Sequence, residues 1–138
     1  MFDTQETFNT VATHLFTQGK RAASRRGACG YRRRAGNKTM KCAIGCLIPD
    51  TAYRRDMEGI RVFRLLVDHP DAIPGFSKAG RDATIGSHVV MFLTSLQSAH
   101  DDRRYWQTTD SMRAALANVA EVYGLDAGVL DRLQFKDR

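Results

Sequence analysis

Apolar residues recur along the chain in blocks whose spacing predicts mainly helices. Phe8, Val11, Ala12, Leu15 and Phe16 fall at the i, i+3, i+4, i+7, i+8 positions of one helical face. Asp3 with Glu6 suits the capping pair ahead of that helix, and Gly19 suits its stop. His14 lies off the stripe and reads as a surface residue. Two short candidate strands follow, about 28–33 and 38–43, and Ala35-Gly36-Asn37 between them can close a hairpin because Gly and Asn tolerate positive φ. The compact run Ala43-Ile44-Gly45-Cys46-Leu47-Ile48, cut off by Pro49, reads as one or two helical turns facing the core.

Residues 50–58 read as a loop carrying Tyr53, and Ile60, Phe63, Leu66 and Val67 mark a short helix closed near His69-Pro70. The stretch 70–81, rich in Pro and Gly, is expected to be a mobile connection. Ile85, Val89, Phe92, Leu93, Leu96 and Ala99 make the longest apolar stripe, with Asp82 or Thr84 as its cap. A polar break at 101–107 holds the only Trp, Trp106. Asp110 or Ser111 then opens a helix along Met112, Ala115, Leu116, Val119 and Tyr123, stopped by Gly124. Asp126 suits the cap of a last short helix bearing Val129, Leu130 and Leu133, before a tail expected to fray. The pattern gives a mainly α (α+β) protein, about five helices packed around one small hairpin. No repeat, low-complexity tract or linker divides it, so 1–138 is expected to be a single domain.

Composition changes little in this picture. A chain of 138 residues with 43% hydrophobic and 26% charged residues is large enough to bury a core without disulfide or metal staples. Three cysteines, an odd number, argue against a secreted disulfide framework. No apolar run nears the roughly 20 residues of a membrane span, and the start of the chain lacks the basic-then-apolar order of a signal peptide. A cytoplasmic protein without membrane contact is expected.

Charge changes it more. The net charge is +6, yet residues 20–41 contain Lys20, Arg21, Arg25, Arg26, Arg32, Arg33, Arg34, Lys38 and Lys41 and no acid. The remaining 12 basic residues face all 15 acidic ones, so the excess positive charge is one local feature. With Arg32–Arg34 on a ribbon and Tyr31 as a stacking ring, it suits nucleic acid or an acidic or nucleoprotein surface. No helix-turn-helix, RNP or zinc-finger signature accompanies it, so any contact is expected to be charge-driven.

The run KCAIGCLIPD (41–50), Tyr53, Met57-Glu58-Gly59 and Leu96-Gln97-x-x-His100-Asp101 together resemble a family of small uncharacterised phage, prophage and bacterial proteins. In that family a K-C-A-x-G-x-L-I-x-D segment follows a short hairpin, and L-Q-x-x-H-D ends a later helix. The resemblance runs from the first helix to about Leu125. It implies one intact domain and a phage origin, and it supplies no activity. The basic patch itself would equally suit the nucleic-acid groove of a host complex blocked by a phage product. The Arg-rich hairpin is richer in positive charge here than in the family.

Two further chemistries are open to these residues. Cys42, after Lys41 and at the start of a turn, is a candidate nucleophile with His100 as base and Asp101 orienting the ring. The same cysteines equally suit buried core positions. Zinc would need Cys29, Cys42 and Cys46 plus a His, but a structural site usually offers two close pairs, and no His is near Cys29 in the sequence. Gly27 to Gly30 lacks the Lys-Ser/Thr of a phosphate loop. No metal and no cofactor is expected.

Overall fold

A computed structural model describes residues 2–24, 26–76 and 87–136. Arg25, the caps Asp82 and Thr84, Ile85 and part of the 70–81 connection lie outside the described residues. Among those described, four α-helices and one two-stranded antiparallel sheet form the framework, and no helix is long and apolar enough to cross a membrane.

Helix α1 (Thr4–Gln18) starts where Asp3 accepts the Glu6 N–H at 3.0 Å and ends at Gly19, whose φ of 71° only glycine adopts cheaply. Its stripe Phe8, Val11, Ala12, Leu15 and Phe16 is buried throughout. Helix α2 (Val62–Asp68) turns Val62, Leu65 and Leu66 inwards. Helix α3 (His88–Asp101) is capped by Ser87, which accepts the Val90 N–H, and buries Phe92, Leu93, Leu96 and Ala99. Helix α4 (Thr109–Val122) is capped by Thr108, two or three positions before the expected Asp110 or Ser111. Ser111 instead closes a reciprocal pair of bonds with that cap.

The pattern's fifth helix is a 3₁₀ turn, Gly128–Arg132. Asp126 accepts the Gly128 N–H at 2.7 Å, a local turn rather than a helix cap, and only Leu130 of the segment is fully buried. The run after Ala43 is likewise a single 3₁₀ turn, Gly45–Leu47, within the range expected for it. Trp106, in the expected polar break, is buried in a third such turn, Arg103–Trp106, and stacks on Phe135 at 5.5 Å. Phe135 also meets Phe16 at 4.8 Å, so the tail is packed at least that far.

Strands β1 (Arg32–Ala35) and β2 (Lys38–Lys41) pair Arg32 with Lys41 and Ala35 with Lys38. Gly36 takes φ 66° while Asn37 does not take a positive φ, the pattern of a type II′ turn with glycine first. The first strand begins later than expected because residues 22–30 fold back on themselves. Gly30 N–H reaches Ala22 O, Ser24 N–H reaches Ala28 O, and Ala23 bridges Cys29. A two-stranded ribbon is marginal alone, and here it is held at both roots. Lys41 donates its N–H to Gln18 Oε1, while Gln18 Nε2 and His14 Nε2 donate to Lys41 O at 2.9 and 2.8 Å. Glu58 accepts the Tyr31 and Arg32 N–H groups, each at 3.0 Å. His14 is thus half-buried and bonded rather than a free surface residue, and burial lowers its pKa.

The core sits between the helices and the 43–48 turn, where Cys42, Ala43 and Ile44 are fully buried. Tyr31 O occupies the space a Cβ on Gly45 would need. Gly45→Ala is therefore expected to cost about 1–3 kcal/mol through forced backbone separation, read by denaturant unfolding. His14 supplies a pH dependence of known sign. Its pKa is depressed on folding, so the unfolded chain binds more protons below about pH 6.5 and stability falls as pH drops through that range. His14→Gln keeps an amide donor for Lys41 O without titrating, and should flatten the fall in melting temperature between pH 7 and 5 relative to the parent chain.

Candidate nucleic-acid interface

Directly opposite residues of an antiparallel pair share a face. Arg32, Arg34, Thr39 and Lys41 therefore point one way, and Arg33, Ala35, Lys38 and Met40 the other. The triple arginine is not one contact surface.

On the first face Arg32 pairs with Asp50 at 2.7 Å, donates to Ile48 O and lies over the Tyr53 ring at 4.3 Å. Lys41 Nζ reaches the same Asp50 at 3.8 Å. These two charges are largely spent on holding the 48–53 segment to the hairpin. On the second face Arg33 turns back over Gly30 and donates to Ala28 O and Cys29 O, joining the hairpin to the 22–30 turn. Arg21 is also engaged, donating to Cys29 Sγ at 3.1 Å, Asp101 O at 3.0 Å and Gly27 O at 3.4 Å. Tyr31 is 6% exposed and donates its hydroxyl to Ile60 O at 2.7 Å, so its ring is core and does not offer a stacking surface.

Four of the expected contact residues remain exposed. Lys20, Arg26, Arg34 and Lys38 have no carboxylate within 4 Å among the described residues. Arg103 joins them from the turn after α3, a residue the sequence reading passed over because it lies 62 positions beyond Lys41. Its only signal in the sequence was a basic residue at a helix end.

The thiol chemistry meets a different environment from the one it needs. Cys42 is fully buried and accepts the Gly45 N–H at 3.2 Å, and burial pushes its pKa up to about 12. Cys46 is pushed up to about 12 for the same reason. His100, also fully buried, has both ring nitrogens engaged. Ala22 N–H donates to Nε2 at 2.9 Å, so in the neutral ring the proton sits on Nδ1 and is donated to Asp101 Oδ1 at 2.8 Å. No lone pair is left to take a proton from Cys42. Burial opposes ionisation of Asp101, but the bonds from His100 and Gln97 hold its pKa below the usual range.

Cys29, rather than Cys42, is the cysteine beside this pair. The donor atoms of Cys29, His100 and Asp101 all lie within 4.8 Å of one another, beside a cleft of about 430 Å³ lined also by Tyr31, Glu58 and Gln97. The sequence reading placed no His near Cys29, and the fold brings one there. A metal on Nδ1 would send the ring proton to Nε2, where it would face the Ala22 N–H, donor against donor. The set therefore fits a hydrogen-bonded buttress and not a metal centre. Burial and the Asp101 charge raise the Cys29 pKa, against the pull of Arg21.

The two motif strings meet in space. Gln97 accepts the Ile44 N–H at 3.1 Å and donates to Asp101 Oδ1, and Trp106 donates to His100 O at 2.7 Å. Comparison with known proteins returns no matching family model, no matching curated protein and no matching solved structure.

Labelling with a thiol reagent at pH 8 should modify Cys29 first, with Cys42 reacting only on unfolding. Fast, selective labelling of Cys42 in the folded protein would revive it as a nucleophile.

Proposed function

We propose that the protein binds nucleic acid through phosphate contacts made by the hairpin tip and the 20–30 segment. The observation that carries this reading is the set of exposed cations without carboxylate partners among the described residues, Lys20 and Arg26 ahead of the hairpin and Arg34 and Lys38 on the two strands beside its turn, one on each face. The surrounding charges argue the same way, because Arg32 and Lys41 are matched locally by Asp50 whereas the tip is not. Maintaining unmatched cations on a rigid ribbon concentrates positive potential at its end, where a polyanion releases counterions on contact.

With Tyr31 inside the core, the contacts are with backbone phosphates rather than stacked bases, and little sequence preference follows. An acidic or nucleoprotein surface of a host complex, the partner of a phage-encoded inhibitor, would meet the same charges. The buried Cys42 thiol and the engaged imidazole favour binding over cysteine-dependent hydrolysis or transfer.

Fluorescence anisotropy with labelled oligonucleotides across a salt series tests the reading. Affinity should fall linearly in log–log form, and the double variant Arg34→Ala, Lys38→Ala should lose at least about tenfold in affinity and reduce the salt slope by about 2. Unchanged affinity in that variant, with unchanged folding, would reduce the tip to a solvated face. Retention of an acidic protein without oligonucleotide binding would reassign the partner.

A further inference from the structure

Gly27 carries the oddest pairing of charges in the molecule. Its φ of 84° is a conformation that side-chain-bearing residues adopt only under strain, and the space where a Cβ would project is taken by the Arg103 guanidinium. Arg21 Nη2 lies 3.7 Å from the same point. Two guanidinium groups far apart in the sequence, one following α1 and one following α3, thus converge on one small volume beside an α-carbon.

Nearby acids do not bridge them. Asp101 is held by His100 and Gln97, and Asp102 is held by Arg104, whose bonds at 2.7–3.3 Å keep the Asp102 carboxyl at about 2. Arg21 is fixed in place by its three acceptors, Cys29 Sγ, Asp101 O and Gly27 O. Arg103 makes no ion pair among the described residues and is exposed. Arg21 is therefore preorganised, and Arg103 lies beside it without a carboxylate partner among the described residues. Like charges brought together in this way repel, and an oxyanion between them turns that repulsion into two charge-assisted bonds.

We infer that Arg21 and Arg103, brought together over Gly27, form a clamp for a single phosphate group of the bound nucleic acid. The inference rests on the nucleic-acid reading above and adds to it a specific anchoring point outside the hairpin. Buttressing by Cys29, His100 and Asp101 then has a purpose at this place, because it fixes the end of α3 from which Arg103 projects. The glycine is the device that permits the approach, since any side chain at 27 would displace the Arg103 guanidinium.

The test compares Arg103→Ala with Arg132→Ala, which removes the same charge from the far end of the chain. Oligonucleotide anisotropy in a salt series should show a loss of about tenfold and a slope smaller by about 1 for Arg103→Ala, and a much smaller loss for Arg132→Ala. Gly27→Ala should reproduce the Arg103→Ala loss, with melting temperature recorded alongside to separate strain from lost affinity. Equal effects of Arg103→Ala and Arg132→Ala, while the Arg34→Ala, Lys38→Ala variant still loses affinity, would overturn the clamp and leave the nucleic-acid reading standing. No binding by the parent protein would overturn both.

Discussion

The structure depends on satisfying the backbone where the hairpin enters the core. Lys41 to Gly45 passes from an exposed ribbon into a fully buried turn, and an unpaired buried N–H or C=O there would cost about 1–3 kcal/mol. Side chains of two helices meet that need: His14 and Gln18 from α1 take the Lys41 groups, and Gln97 from α3 takes the Ile44 N–H. Glu58 does the same for the other root at Tyr31 and Arg32. A ribbon too small to stand alone thus becomes a rigid projection of the helical body, and whatever its tip contacts is presented at a fixed angle.

The same logic explains why residues with catalytic side chains do not assemble a catalytic group. His100 and Asp101 are oriented as firmly as any catalytic pair, but the free ring nitrogen that a base requires is bonded to Ala22 N–H. The pair ties the 20–30 segment to the end of α3, and Trp106 secures it from the other side through His100 O. The motif residues of 41–50 and 96–101 are in this sense one structural unit, joined through Gln97.

Charge is distributed by the same tertiary arrangement. Of the basic residues between 20 and 41, Arg21, Arg32, Arg33 and Lys41 are drawn into the fold by Asp50, by backbone carbonyls and by Cys29. Among the described residues Lys20, Arg26, Arg34 and Lys38 are left exposed, the last two on the strands either side of the Gly36-Asn37 turn. A count of charge alone places the contact on three consecutive arginines, whereas strand alternation divides them between two faces.

The helices were legible from the chain because their apolar stripes repeat at short range, and the Asp3 and Gly19 signals depend only on neighbouring residues. The hairpin was legible for the same reason, through Gly36, although its register was not, because the fold-back of 22–30 competes for the residues preceding β1. The last helix was misjudged where three apolar residues satisfied the helical spacing but only Leu130 found a place fully inside the core. The local concentration of positive charge was also evident from sequence. Which cations remain free, that Tyr31 lies inside, that Cys29 rather than Cys42 adjoins His100, and that Arg103 meets Arg21 over Gly27 were decided by contacts between segments far apart in the chain. Periodicity reports which side of an element is apolar, and it carries no information about which other element covers that side.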